Sequence, residues 1–207
     1  MKTVKNITIV TILMLFVSII ASGCGAVNFV KAGEMRSESH AVDLGEATSA
    51  RVQIEMDIGV LKIDSGEGKL MEGTFDYNVS EWQPQVSYEV DGSQGSLVVN
   101  QPKKRANLAV QNGENRWDLR LSRGVPMDLA ISTGAGVSEA NFSAIDLTNL
   151  DISTGVGEGK FDLAGAWEHD LSVSINGGVG AVTVILPREM GVQVEVESGI
   201  GRVKSCS

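Results

Sequence analysis

The side chains best suited to chemistry in this chain are its two histidines, His40 and His169. A structural metal site needs three or four convergent ligands, yet neither histidine has a second His or Cys at ligand spacing. His169 lies between Glu168 and Asp170, and we interpret that segment as a solvated loop. No Gly-x-Ser-x-Gly motif is present, and no Ser/His/Asp set can be assigned. The sequence therefore predicts no catalytic residue, no bound metal and no cofactor.

Four Gly-x-Gly tripeptides with an apolar central residue, all in the second half of the chain, raise the alternative of a phosphate-binding loop. A dinucleotide fingerprint requires a third Gly opening a helix, and a P-loop requires Gly-Lys-Ser/Thr. Each tripeptide here is followed by an alternating segment typical of a strand, so we interpret the glycines as structural turns that reach backbone angles closed to other residues. The glycines are Gly134, Gly136, Gly155, Gly157, Gly178, Gly180, Gly199 and Gly201.

These glycines recur at intervals of 21, 23 and 21 residues, which is the sequence signature of a repeat architecture. Three and five residues before each first Gly stand aliphatic residues, separated by a mostly polar position, and this alternation predicts a strand with one buried face. The aliphatic residues are Leu129, Ile131, Leu150, Ile152, Val173, Ile175, Val194 and Val196. The residue between the glycines is also apolar, and we expect it to point into the core. These residues are Ala135, Val156, Val179 and Ile200.

The segments after the glycines alternate in the same way. Inward positions hold mostly apolar residues such as Phe161 and Val182, and the outward position three residues after the second Gly holds Glu139, Lys160, Thr183 and Lys204 in successive repeats. Two strands per repeat in fixed register predict an all-β fold in which four repeats of residues 126–207 stack as a β-solenoid. Residues 50–64 show a fainter copy, with Asp57 in place of the first Gly.

The N-terminus has the pattern of a secretory signal peptide. Lys2 and Lys5 precede an apolar stretch over 7–20 that is short for a spanning helix, and small residues follow. The sequence Ala21-Ser22-Gly23-Cys24 resembles the lipobox of bacterial lipoproteins. That resemblance implies cleavage after residue 23 and acylation of Cys24. Several acyl chains on one residue hold a protein stably at a bilayer, so we expect a protein attached to the outer face of a bacterial membrane.

Composition fits this location and argues against nucleic acid as a partner. The chain carries a net charge of −9, and removal of residues 1–23 takes away only two lysines. An acidic surface repels nucleic acid and anionic headgroups. With Cys24 acylated, Cys206 has no cysteine to pair with inside the chain.

The remaining segments complete the predicted organisation. Residues 24–40 are interpreted as a lipid-anchored tether and residues 41–125 as the N-terminal β part of the domain, with strands over 70–79, 86–91, 96–100, 106–110 and 117–121. Two hypotheses are open for the tryptophans Trp82, Trp117 and Trp167. If they are buried, they cap the ends of the solenoid, and if they are exposed, they stack on sugars or on a partner. We favour capping.

The stretch from Met35 to Pro126, with Val52 to Ile63 as its most regular part, followed by the Gly-x-Gly repeats, resembles the bacterial toast-rack domains. These domains occur in cell-envelope stress proteins linked to cell-wall-active antibiotics and as separate lipoproteins. The resemblance implies a β-solenoid-like fold and a link to the envelope-stress response. It supplies no catalytic residue.

Two functional hypotheses follow. The first is a non-catalytic binding or scaffolding module whose partner is an envelope protein or a cell-wall polymer. The second is a surface enzyme acting on polysaccharide, for which the sequence leaves the separation of any paired carboxylates open. Acidic side chains in a groove beside exposed Trp would favour the enzyme, and a bare sheet edge with small flanking residues would favour partner binding.

Acylation of Cys24 can be tested directly. Processing between Gly23 and Cys24 should be sensitive to globomycin and should yield a form that partitions into detergent. The Cys24→Ala chain, once its signal is cleaved, should instead be released from membranes, because it has no residue to acylate. Equal membrane retention of the two cleaved forms would contradict the anchor.

Overall fold

The computed structural model describes residues 28–102, 108–188 and 193–206, most of them in strands. A single 3-10 turn covers Ser80–Trp82. The strands are β1 (Asn28–Lys31), β2 (Arg36–Val42), β3 (Ser49–Gly66), β4 (Met71–Tyr77), β5 (Gln85–Asp91), β6 (Gln94–Asn100), β7 (Leu108–Gln111), β8 (Asn115–Ser122), β9 (Met127–Asn141), β10 (Leu147–Asp162), β11 (Ser172–Ile185) and β12 (Gln193–Cys206).

Five long strands stack in parallel as the rungs of a solenoid, in the order β3, β9, β10, β11, β12. The register aligns Gly59 with Gly136, and then with Gly157, Gly180 and Gly201. Lys160 is level with Glu139 on one side and with Thr183 on the other. The predicted repeat, its register and the early rung over 50–64 are therefore confirmed, and the fold is the expected all-β solenoid.

Each rung is one strand bent at its glycines, rather than two strands joined by a turn. The ladder between β10 and β11 is continuous except that it omits Gly155 and Gly178, the first glycines of their pairs. Because one residue of each strand is left out of the ladder at this corner, the inside–outside alternation shifts by one position. Below, the parts of a rung before and after the corner are its N-terminal and C-terminal arms.

This phase shift overturns the prediction that the residue between the glycines points into the core. Val156 is 59% exposed and Val179 is 51% exposed, and Ile58, at the same position of β3, is 43% exposed. The alternation of the C-terminal arm begins at this residue, so the side chain that the N-terminal arm would have buried faces solvent instead.

The segment between β3 and β9 folds against the free side of the first rung. β6 pairs with the N-terminal arm of β3 and β8 pairs with its C-terminal arm, both in parallel. β5 extends the sheet beyond β6, while β4 and then β2 extend it beyond β8. These strands confirm the segments expected between residues 70 and 121, apart from 106 and 107, which lie outside the described residues. The segment acts as the cap that an open solenoid end requires.

The tether prediction is wrong from Arg36 onward. β2 pairs antiparallel with β4 over its full length, from Arg36 opposite Tyr77 to Val42 opposite Met71. His40 thus belongs to the sheet. β1 also lies in the expected tether and pairs in parallel with β7, and the Gly33 amide donates to the Asn78 carbonyl at 2.7 Å. The alternation of side chains over 36–42 was the sequence signal for this strand. A short edge strand made mostly of polar residues is nevertheless hard to distinguish from a linker by sequence.

The core lies between the two arms of the stacked rungs. Inward residues of both arms are almost fully buried, and the loops that connect rungs close the third side with their own apolar residues. The arm residues include Val52, Ile54, Leu129, Ile131, Leu150, Ile152, Val173, Ile175, Phe161 and Val184, and the loop residues are Phe142, Ile145, Leu163, Trp167 and Leu171.

The register predicts opposite outcomes for two adjacent substitutions. Ile152→Asp should lower the free energy of unfolding by about 3–5 kcal/mol, because it buries an unpaired carboxylate. Asp151→Ala, on the exposed face of the same strand, should cost less than about 0.5 kcal/mol. Urea titrations of both variants measure the difference, and equal losses would contradict the assignment of faces.

Candidate functional site

The glycine pairs form two columns in which the backbone of one rung occupies the place of a side chain on the next. A Cβ on Gly136, Gly157 or Gly180 would lie 1.8 Å from the carbonyl oxygen of the glycine one rung below, and these residues have φ of 140°, 141° and 145°. A Cβ on Gly134, Gly155 or Gly178 would lie 2.1–2.3 Å from the corresponding carbonyl oxygen. The columns permit stacking and leave no space for a phosphate between rungs. Gly199 and Gly201 lie in β12, where Gly201 is level with Gly180.

At the first rung, buried amide side chains replace the missing neighbour. Gln101 Oε1 accepts the backbone N–H of Asp57 at 3.0 Å and that of Ile58 at 3.2 Å. Asn115 Nδ2 donates to the Ile58 carbonyl at 2.7 Å, and Asn115 Oδ1 accepts from Trp117 Nε1 at 3.0 Å. Gln101 and Asn115 are 3% and 5% exposed. We call Gln101, Asn115 and Trp117 the amide cap.

Sequence analysis missed Gln101 and Asn115. Gln101 precedes Pro102 between two predicted strands, and Asn115 follows the polar segment Asn112-Gly113-Glu114. No local pattern marks an amide whose partners are about 40–60 residues away. Trp117, by contrast, has the predicted capping position beside the first rung and is fully buried.

The corner residues form a line of exposed aliphatic side chains along the solenoid. Ile58, Val156 and Val179 are each more than two-fifths exposed, and Ala135, between Ile58 and Val156 in the stack, is half-buried. We call these four residues the corner ridge. Bare glycine backbone lies on both sides of it, and the half-buried Val60 and Val137 adjoin it. It is the most apolar exposed feature among the described residues.

A shallow groove of about 970 Å³ lies on the outer face of the C-terminal arms. Its side chains alternate in charge from strand to strand: Asp118 is level with Lys62, which is level with Glu139. The Lys62 Nζ to Glu139 Oε2 distance is 3.8 Å. In the next row, Arg120 of β8 is level with Glu72 on one side and with Asp64 on the other. Cross-strand opposite charges of this kind stabilise a sheet by a few tenths of a kcal/mol, although acidic side chains outnumber basic ones in the lining of the groove.

A polar cluster fastens β2 to β4 and to the 3-10 turn. The Tyr77 hydroxyl donates to Glu38 Oε1, and Gln83 Nε2 donates to the same oxygen at 3.0 Å. The hydrogen bond from Tyr77 is the largest cause that lowers the pKa of Glu38. Burial, followed by the hydrogen bond to Glu38, raises the pKa of Tyr77. Both shifts keep the phenol protonated and the carboxylate charged at neutral pH, which suits a structural contact.

His169 and the remaining tryptophans, Trp82 and Trp167, make contacts within the fold. His169 Nε2 lies 3.3 Å from Asp146 Oδ1, and no group of three or more potential metal ligands occurs within the described part of the chain. Trp82 and Trp167 are 9% and 8% exposed, and Trp167 Nε1 donates to the Leu163 carbonyl at 3.0 Å. Trp167 closes a loop between middle rungs, so it does not cap an end as we expected.

Cys24 lies outside the described residues. Within those residues, no helix has the length and apolar character needed to cross a membrane.

Comparison with known proteins agrees with this geometry. Residues 31–185 match the family model of the N-terminal domain of toast_rack, DUF2154. A Clostridium sporogenes ATCC 15579 structure, described as a "putative cell adhesion protein", is 28% identical with a TM-score of 0.80, over 83% of this chain and 99% of that chain. A "putative adhesin" from Parabacteroides distasonis ATCC 8503 is 11% identical with a TM-score of 0.28, over 86% and 100%. A search of curated proteins found no match.

The glycine columns predict a large effect from one methyl group. Gly157→Ala should cost about 2–4 kcal/mol, because it combines an unfavourable φ with a backbone clash that only separation of two rungs relieves. Gly124→Ala is the control, since a Cβ there has no atom within 4 Å. Thermal unfolding of both variants measures the difference, and a native-like melting temperature for Gly157→Ala would show that the columns are dispensable.

Proposed function

Because the chain belongs to the toast-rack family, we propose that it is a non-catalytic binding module displayed outside the cytoplasm, attached to the membrane through acylated Cys24. Its partner is an envelope protein that binds the corner ridge. A role in the envelope-stress response follows from the resemblance to the stress proteins that carry this domain.

The exposed corner ridge is the observation that carries the proposal. Aliphatic side chains with exposures of 43–59% lie in one line, with the half-buried Ala135 between two of them, and contiguous exposed apolar surface is characteristic of interaction sites. At the usual strand spacing of about 4.8 Å, four rungs place this line over about 14 Å. The flanking glycines carry no side chain, so an opposing surface can approach the backbone closely.

The chemistry of the corner ridge favours a protein over a polysaccharide as its partner. Sugar rings are usually held by aromatic faces and by dense hydrogen bonding, whereas the ridge offers aliphatic groups. The three tryptophans that could have stacked on sugars are all 9% exposed or less. An apolar strip on another protein would bury the ridge and gain about 25 cal/mol per Å² of apolar surface. The cell-adhesion description of the Clostridium sporogenes relative also supports a binding role.

The alternative of a polysaccharide-acting enzyme has less support in the groove. A glycosidase needs a pair of carboxyl groups that flank the bond it cleaves. Here Asp118 and Glu139 both flank Lys62, and Asp64 lies beside Arg120, so these carboxylates form cross-strand pairs with cations of the sheet.

The position of β1 in the sequence is consistent with attachment of the domain to the membrane through Cys24. β1 begins at Asn28, four residues after Cys24, and four residues span at most about 14 Å. An acylated Cys24 would therefore hold the domain close to the bilayer.

Capture from an envelope extract tests the proposal. The acylated chain should retain a partner that Val156→Asp/Val179→Asp loses, because the partner would have to desolvate two carboxylates without pairing them. Ser153→Asp, which is exposed on the N-terminal arm of the same rung as Val156, is the matched control and should retain the partner. Equal capture by all three forms would rule out the ridge as the binding surface, and equal capture in the absence of the protein would rule out a binding role.

A further inference from the structure

The two ends of the solenoid differ in how their backbone groups are satisfied. At the first rung, β6, β8 and the amide cap occupy the free side of β3. At the last rung, β12 pairs with β11 on one side, and no strand among the described residues pairs with its other side. An edge of 14 residues with no partner among the described strands is a template for another strand.

The register fixes which residues of β12 belong to which column. Val194 and Val196 are level with the buried Val173 and Ile175, and Val203 is level with the buried Val182. On β11, Ser174, Asn176, Ala181 and Thr183 lie on the outer face. The β12 positions level with them hold Glu195 and Glu197 in the N-terminal arm and Arg202 and Lys204 in the C-terminal arm. By register, the outer face of β12 is therefore acidic in one arm and basic in the other.

We propose that β12 is a self-association edge at which two copies of the chain pair antiparallel about a two-fold axis through the corner. One register pairs opposite charges at both outward positions of each arm. It sets Glu195 opposite Lys204 of the second copy and Glu197 opposite its Arg202. It also sets Val196 opposite Val203, so that both core columns continue across the interface. A two-fold axis repeats each pairing, which gives four opposite-charge pairs.

Other registers and other modes of association between two copies pair fewer opposite charges or fewer strand residues. Shifting the register by two residues toward the C-terminus leaves Glu197 opposite Lys204 but sets Glu195 opposite Cys206. A head-to-tail stack would place bent β12 on the opposite end of the sheet, which finishes in two separate seven-residue strands, β2 and β5. The N-terminal strand β1 is not part of this sheet and lies near Asn78, beyond β4. Anchoring through the N-terminus therefore leaves the β12 edge accessible.

Native Cys206 provides a test of the register. In the Cys24→Ala background it is the only cysteine of the chain, and the proposed pairing sets it opposite Gln193 of the second copy. Antiparallel partners have Cα separations of about 4.5–5.5 Å, within the range for a disulfide. Gln193→Cys should therefore give a covalent dimer under mild oxidation. The controls are Ser172→Cys, level with Gln193 on β11, and Glu195→Cys, which reports the shifted register, and neither should cross-link.

Charge exchange tests the same interface without a covalent bond. In sedimentation equilibrium the chain should be dimeric, and Glu197→Arg should raise the dimer dissociation constant about tenfold or more by opposing like charges. Glu197→Arg/Arg202→Glu should restore it, because the swap recreates both pairs. Val156→Asp on the corner ridge should leave the dimer unchanged.

Each alternative outcome overturns the proposal. This interface would be excluded if the chain stays monomeric at about 100 μM, or if it dimerises but Gln193→Cys does not cross-link. Cross-linking through Glu195→Cys instead, or a charge swap that does not restore association, would also exclude it. If the corner-ridge variants alter only capture of a partner from envelope extract and leave dimerisation unchanged, the result concerns the proposed function and not this interface.

Discussion

The contact between a carbonyl oxygen and a glycine at each corner is the constraint on which the rest of the structure depends. A β-sheet can bend sharply at the same position in successive strands only if the backbones approach closely there, and the space that a Cβ would need on Gly157 is taken by the Gly136 carbonyl. Because the contact repeats in both glycine columns, every rung must bend at the same residue. The two arms then face each other across one core, and a single register runs through five strands.

This constraint also explains how the solenoid begins. The corner of β3 exposes backbone donors and an acceptor that a preceding rung would otherwise satisfy, and an unsatisfied buried N–H or C=O costs about 1–3 kcal/mol. The amide cap satisfies them with side chains: Gln101 accepts two N–H groups, and Asn115 donates to one carbonyl. The segment between β3 and β9 therefore does more than extend the sheet. It ends the repeat at a defined rung, whereas β12 carries the same corner without an equivalent cap among the described residues.

The same corner geometry produces the most distinctive surface. Because the alternation shifts by one residue at the first glycine, an aliphatic residue that sequence periodicity assigns to the core faces solvent in rung after rung. Ile58, Val156 and Val179 thus form an apolar line along the corner. The tryptophans are buried and charged side chains of the groove pair across strands, so this line is the most apolar surface that the described residues offer to a partner.

The sequence by itself determined the repeat, its register and the buried columns, because a period of 21–23 residues and a two-residue alternation are local properties that stacking strands preserve. Ile131, Ile152 and Ile175 are buried as their spacing predicts, and Glu139 lies beside Lys160. The sequence also supplied the resemblance to the toast-rack family. Only the tertiary structure decided that Val156 faces outward, since the phase shift arises from a bend that alternation does not encode. It alone placed Gln101 and Asn115 on the corner of β3, because their partners are distant in sequence. It also assigned β2 to the sheet, where pairing with β4 satisfies the backbone of a strand too polar to be recognised by its side chains.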